Sequence, residues 1–227
     1  MSEDQKRRAG EAAAERVEAG MVVGLGTGST AAWFVKALAA RNLSGLRCVP
    51  TSEKTADLAR ELGLTLSSLE DTPRIDLTVD GADEIGPGLA LIKGGGAALL
   101  REKLVWEASA RCICIADAAK VVKVLGAFPL PIEVVAFGHK TTANRIADVL
   151  IDHDIAMPAR ARSADRGLVR TDGGNLIYDA KCGAIHDPVR LADDLKLITG
   201  VVEHGLFLDL ADEAIIGTDE GIEVLLP

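Results

Sequence analysis

Apolar and polar positions along the chain follow two periods, and the places where one gives way to the other mark the elements. Apolar runs at Met21–Leu25, Ile75–Val79 and Cys112–Ala116 read as strands buried in a sheet. Helical spacing covers residues 3–19, Ala31–Ala40, a segment from Glu53 to Leu62, and Ala97 to about Ala110. Shorter strands are predicted at 46–49 and 64–67, and a brief apolar run at Leu89–Ile92. Strand and helix alternate through this part, as in βα units on a layered sheet.

The order changes after Phe128-Pro129-Leu130-Pro131, which reads as a linker. A strand at Ile132–Ala136, a helix at Thr141–Asp152 and a strand near Ala159–Arg162 follow. Asp172-Gly173-Gly174-Asn175 predicts a hairpin that pairs Leu168–Thr171 with Leu176–Asp179. A helix at Pro188–Ile198 and a strand near Val201–Glu203 complete the group. Short tail strands at Leu206–Leu210, Glu213–Ile216 and Ile222–Leu226 return to the first domain. The expected class is α/β: a Rossmann-like layered α/β catalytic domain, residues 1–128 plus 206–227, with an inserted small α+β (ferredoxin-like) domain at 129–205.

Composition sharpens this picture. The chain is 48% hydrophobic but only 3% aromatic, so Ala, Val, Leu and Ile fill the core, as in sheets covered by helices on both faces. Net charge is -9 with no large Lys/Arg cluster, which argues against nucleic acid as a partner. No apolar stretch reaches the ~20 residues of a membrane span. Residues 1–8 are charged and unlike a secretion signal, so a cytoplasmic location is expected. Cys48, Cys112, Cys114 and Cys182 read as thiols of a reducing compartment; they have no metal-motif spacing.

Candidate chemistry is concentrated between Asp80 and Lys103. Asp80, Asp83 and Glu84 close one strand; Lys93 and Gly94, Gly95 and Gly96 close the next run; Glu102 lies on the helix that follows. In open α/β sheets the strand ends are where ligands bind. Adjacent glycines let backbone N–H groups approach a ligand, and a helix start adds donors. Lys103, Glu107 and Arg111 are spaced by four and predict a solvated stripe. Glu102 is one residue off it, with Ala98, Val105, Trp106 and Ser109 at helical spacing, so it should be sheltered and able to act as a general base.

A second candidate is the turn Gly26-Thr27-Gly28-Ser29-Thr30, placed between a strand and a helix that Ser29 or Thr30 would cap. Its hydroxyls suit one compact phosphate. The turn also partly matches a dinucleotide fingerprint through Gly26, Gly28 and Ala31, with Glu53 as the distant acid, which leaves a nicotinamide-dependent oxidoreductase as the alternative. A non-enzymatic sugar-phosphate sensor is the other; Glu102 and the absence of a DNA-binding extension count against it. Lys120, after Cys112–Ala116 and Asp117, adds a cation at the same sheet edge.

Taken together, Gly24–Thr30, Asp80–Glu84, Lys93–Ala98 with Arg101-Glu102-Lys103, Ile115-Ala116-Asp117 with Lys120, Phe128–Pro131 and Ile216-Gly217-Thr218 resemble the type A ribose-5-phosphate isomerases, over essentially the whole chain. The resemblance implies interconversion of ribose 5-phosphate and ribulose 5-phosphate in the non-oxidative pentose phosphate pathway, with no metal or organic cofactor and a homodimeric assembly. It implies Glu102 as the proton acceptor, with Asp80, Asp83 and Lys93 also catalytic. Substrate contacts would come from Thr27, Gly28, Ser29, Thr30, Asp80, Gly81, Ala82, Asp83, Lys93, Gly94, Gly95, Gly96, Lys120 and Lys6. Two departures stand out: residues 160–166 are longer and more basic than the family pattern, and Cys182-Gly183 replaces a usual His-Gly.

Overall fold

The computed structural model describes residues 3–165 and 167–227, so Met1, Ser2 and the Arg166 end of the basic stretch lie outside the described residues. In chain order the elements are α1 (Glu3–Ala14), β1 (Val22–Leu25), α2 (Ser29–Ala40), β2 (Arg47–Pro50), α3 (Glu53–Glu61) and β3 (Leu77–Gly81). Next come β4 (Glu84–Ile85) and β5 (Leu91–Ile92), separated by a 3-10 turn at Pro87–Leu89, then α4 (Leu99–Glu107) and β6 (Cys112–Asp117). The remainder is β7 (Leu130–Val134), α5 (His139–Asp152), β8 (Arg160–Ala161), β9 (Ser163–Ala164), β10 (Gly167–Leu168), β11 (Leu176–Ala180), α6 (Pro188–Lys196), β12 (Val201–His204), β13 (Leu206–Phe207), β14 (Glu213–Gly217) and β15 (Ile222–Leu225).

Contacts divide the chain into two compact units. The first comprises the segment ending at Ala82, Arg101–Val121 and Asp209–Pro227. Its six-stranded sheet runs β15-β14-β6-β3-β1-β2, parallel except for β15. Every residue of β1 and β6 is buried, as a parallel sheet covered on both faces requires. On one face Ala9 and Ala13 of α1 and Phe34, Val35 and Leu38 of α2 pack on Val23, Leu25, Val79, Ile113 and Ile215. Val105 of α4 packs with Val22, Val49 and Ile75 in a second apolar cluster. A Cβ on Gly10 would lie 2.7 Å from the Phe34 nitrogen, so this glycine lets α1 approach α2.

The second unit comprises Asp83–Leu100 and Val122–Leu208, wider than the inserted segment expected at 129–205. The reason is strand pairing: β4 pairs β5, and β5 pairs β13, which ties the Asp83–Lys93 region to residues after 205. Leu206–Phe207 therefore stays in this unit, and only the last two tail strands enter the large sheet. The four-stranded sheet has the order β12-β7-β11-β8 with α5 and α6 in the connections. Numbered within the unit, that is β-α-β-β-α-β with order 4-1-3-2, the ferredoxin-like arrangement.

Several boundaries differ from expectation. The first helix stops at Ala14, not 19, because Arg16 and Val17 turn back in 3-10 bonds and the Arg41 guanidinium takes the carbonyls of Ala14 and Val17. Residues 64–67 give a single bridge from Leu66 to Cys48 instead of a strand. The expected linker is half strand: Pro131 sits in β7, and its carbonyl accepts from Gly205, beyond the end of β12, so its missing N–H breaks no ladder bond. The turn at 172–175 forms, but its arms meet only at Arg170 and Leu176; Leu176–Ala180 pairs with β7 and β8.

None of the four cysteines forms a disulfide; Cys48, Cys112 and Cys114 are buried and Cys182 is half-buried. Burial pushes the thiol of Cys48 up to about 12 and that of Cys182 up to about 11. The expected outcome is that native protein at about pH 8 resists alkylation at Cys48 and reacts only slowly at Cys182, whereas urea-unfolded protein is labelled at all four, read by mass spectrometry of the peptides.

Candidate active site

In the first unit the site begins where β1 ends. Gly26 donates to the Val79 carbonyl at 3.0 Å, and a Cβ there would lie 2.1 Å from Asp80 Oδ1. The glycine is thus the condition for a carboxylate to lie against this turn. Asp80 has 0% exposure; its Oδ1 accepts from the N–H of Thr27 at 3.0 Å and of Gly81 at 2.7 Å. Both amides meet the Oδ1 end of the carboxylate.

The hydroxyls of the turn divide. Thr27 Oγ1 lies 2.7 Å from Thr51 Oγ1, 2.8 Å from Ser52 Oγ and 3.2 Å from Thr55 Oγ1, and Thr55 Oγ1 donates to the Gly26 carbonyl. Thr27 was expected to face a phosphate; its hydroxyl instead fastens the turn to the start of α3. Gly28 and Ser29 are exposed, and Thr30 is half-exposed. Lys6, which is buried, donates to Ser29 Oγ at 3.0 Å and to Glu3 Oε1 at 2.9 Å. The cap of α2 is Gly28, at φ 118, and not Ser29 or Thr30. The supporting hydroxyls of Thr51, Ser52 and Thr55 were not singled out from sequence; their spacing at the head of a helix was the available signal.

Further along the same sheet edge, Asp117 Oδ1 caps the 3-10 turn that carries the half-buried Lys120 by accepting from Ala119 N–H at 3.1 Å. Glu102, on α4, is 3% exposed. Val105 and Trp106 beside it on the helix are buried too, as the pattern predicts. The solvated stripe is only partly right: Glu107 and Arg111 are exposed, but Lys103 is buried and Leu104 takes the outward place. Arg101 pairs with Glu53 at 2.8 Å, and that hydrogen bond holds the Glu53 carboxyl below its usual range.

This geometry tells against the dinucleotide alternative. A pyrophosphate crossing Gly26 would meet the Asp80 carboxylate, and the acid meant for a ribose, Glu53, is already ion-paired.

The second unit contributes Asp83, Lys93 and the glycine turn. Asp83 N–H donates to Ile92 O and Lys93 N–H to Gly205 O, each at 2.8 Å, so both residues are set by the β13-β5-β4 sheet. Lys93 is 2% exposed, with Nζ 5.4 Å from the centre of the Phe207 ring. Gly95 N–H donates to Asp83 Oδ2 at 2.7 Å, and Gly94 holds φ 107. Gly95 and Gly96 are exposed, and Ala82, at the end of the first unit's strand segment, is half-buried. Glu84, third in the acidic burst, is structural: it accepts from Gly126 N–H at 2.7 Å and Phe128 N–H at 2.5 Å. Among the described residues no helix is long and apolar enough to cross a membrane, and no group of three or more His, Cys, Asp or Glu could hold a metal ion.

Comparison with known proteins adds a family. Residues 47–221 match the model of ribose 5-phosphate isomerase A (phosphoriboisomerase A). A Caulobacter sp. (strain K31) protein named ribose-5-phosphate isomerase A is 70% identical over 226 residues, covering 100% of this chain and 99% of its own. A solved D-ribose-5-phosphate isomerase in complex with phospho-erythronic acid superposes with TM-score 0.91 at 40% identity, over 98% of this chain and 97% of its own. The ribose 5-phosphate isomerase A of Methanocaldococcus jannaschii superposes with TM-score 0.92 at 35% identity, over 100% of both chains. On these grounds the chain belongs to the ribose 5-phosphate isomerase A family.

Proposed function

We propose that this protein is an aldose–ketose isomerase that interconverts D-ribose 5-phosphate and D-ribulose 5-phosphate through an enediolate, in the non-oxidative pentose phosphate pathway. Family membership supports the reading, as does the name carried by relatives 70% identical over the full chain. A solved relative binds phospho-erythronic acid. Its carboxylate spreads negative charge over two oxygens at the end of a phosphorylated carbon chain, close to where the enediolate carries oxygens on C1 and C2.

The observation that carries the mechanism is the burial of Glu102, a carboxylate on α4 with almost no contact with water. Isomerisation takes a proton from C2 and returns one to C1. One carboxylate held over both carbons performs both transfers, and exclusion of water limits loss of the proton to solvent. Negative charge grows on the carbonyl oxygen as the proton leaves. The Lys93 ammonium and the amides of Gly94 and Gly96 are the donors assigned to it, since the Gly95 N–H already meets Asp83. Opening of the furanose ring, and passage of the hydroxyl proton from O2 to O1 that completes the isomerisation, need a proton relay at oxygen, assigned to Asp80 and Asp83. Gly28, Ser29, Thr30, Lys6 and Lys120 are assigned to the phosphate, whose binding energy holds the reacting carbons in place. Thr27, Gly81 and Ala82 shape the turns around the sugar, Thr27 through its amide and its inward hydroxyl.

A cytoplasmic homodimer completes the reading. Reduced buried thiols suit the compartment. Large exposed apolar side chains in the second unit, Phe137 at 96% and Leu197 at 82% exposure, favour a partner copy. Light scattering should then give about twice the chain mass of 23.8 kDa; a monomer at all concentrations would refute the dimer.

Glu102→Gln should lower kcat by about 10² to 10⁴, and Lys93→Met by about 10² to 10³, in an assay with ribose 5-phosphate. Turnover of the unaltered enzyme should persist in EDTA, since every step uses protein groups. Undiminished turnover by Glu102→Gln, or its loss in EDTA, would defeat the mechanism.

A further inference from the structure

The basic stretch that begins in β8, which departs from the family pattern, meets the glycine turn within the second unit through Arg162. Arg162 has a fixed main chain: its N–H donates to the Ile177 carbonyl and its own carbonyl accepts from Val169. Its guanidinium forks onto Asp179, Nε to Oδ2 at 2.8 Å and Nη2 to Oδ1 at 2.5 Å. The remaining arm, Nη1, donates to the carbonyls of Gly94 at 2.9 Å and Gly95 at 3.1 Å. One planar cation thereby grips two successive carbonyls of the turn while a carboxylate fixes its plane.

The grip decides where the amides point. A trans peptide sends its carbonyl and its N–H to opposite sides, and the described residues contain no cis peptide. The peptide from Gly94 to Gly95 is held at both ends, its carbonyl on Arg162 and its N–H on Asp83 Oδ2. In the next peptide the Gly95 carbonyl meets the same guanidinium, so the Gly96 N–H turns away from Arg162. The turn also needs restraint. Gly94 is at φ 107 and Ala97 at φ 59, in a left-handed region that persists for a side-chain-bearing residue only when its surroundings over-determine it. Ala97 N–H donates to the Gly94 carbonyl at 3.0 Å, the oxygen that Arg162 also holds.

We infer that Arg162, fixed by Asp179, is a positioning residue for the isomerisation: it orients the Gly96 amide, and through the Gly95 N–H the Asp83 carboxylate, toward the sugar. The inference rests on the reading above that this turn lines the sugar site. Arg162 touches no reacting atom. A lysine cannot replace it, because one ammonium on a flexible stem cannot fork onto Asp179 and reach two carbonyls together.

The test uses the full-length protein with Arg162→Gln, Arg162→Lys, Arg162→Ala and Asp179→Asn, beside Glu102→Gln, all assayed with ribose 5-phosphate. Arg162→Gln is expected to lower kcat by about 10- to 100-fold, as small displacements of reacting groups do, with KM changed by less than about threefold. Arg162→Lys should stay close to Arg162→Gln, and Asp179→Asn should fall in the same direction by less. Low guanidinium chloride should raise kcat of Arg162→Ala but not of the unaltered enzyme, a response that a merely structural arginine would not give. Near-normal kcat in both Arg162→Gln and Asp179→Asn, with Glu102→Gln inactive, overturns the inference alone. So does a loss of kcat that only follows a fallen heat-denaturation midpoint and ignores guanidinium. Full turnover by Glu102→Gln removes the underlying reading, and this inference with it.

Discussion

Charge held out of water is the constraint on which the structure turns. Asp80, Lys93 and Glu102 all lie at strand ends or on the helix that follows, and none has appreciable exposure. An ionised group in such a place is tolerated only where donors, acceptors or an opposite charge meet it. Oδ1 of Asp80 meets the amides of Thr27 and Gly81, so the first turn and the end of β3 are folded around a carboxylate. Gly26 is the corollary, since any side chain there would displace it.

The same logic explains residues that take no part in chemistry. Ser52 caps α3, and with Thr51 and Thr55 anchors Thr27 from behind. Glu84 gathers the amides of Gly126 and Phe128, so one acid in the burst holds a loop. In the second unit the glycine turn is clasped by Asp83 on one side and Arg162 on the other. Sites that must hold donors within a fraction of an ångström are built from such supporting contacts as much as from the groups that meet substrate.

Much of this was legible in the sequence, for physical reasons that vary by element. Continuous apolar runs such as Cys112–Ala116 announce a parallel strand covered on both faces, and the structure buries all of β6. The shelter of Glu102 followed from its offset along α4. The burial of its neighbour Lys103 did not, because a lysine at surface spacing carries no sign of what will cover it. Turn chemistry at 172–175 was read correctly, but the strands it seemed to pair find other partners, since pairing is settled by the sheet and not by the loop. The direction of the Thr27 hydroxyl and the reach of Arg162 to Gly94 depend on contacts between distant segments, which no local pattern encodes.

At the centre of the proposed mechanism stands a single carboxylate, Glu102, assigned to carry a proton from one carbon to the next. Isomerisation in D2O, followed by NMR of the recovered sugar phosphates, tests this most directly. The account predicts a fraction of deuterium at the carbon that receives the proton, set by how often the sheltered carboxylate exchanges before returning it, and both turnover and incorporation collapse in Glu102→Gln. Turnover and deuterium incorporation that continue undiminished in Glu102→Gln would mean that another group carries the proton, and would contradict it; unlabelled product alone would not, because a carboxylate kept from water can return the proton it took.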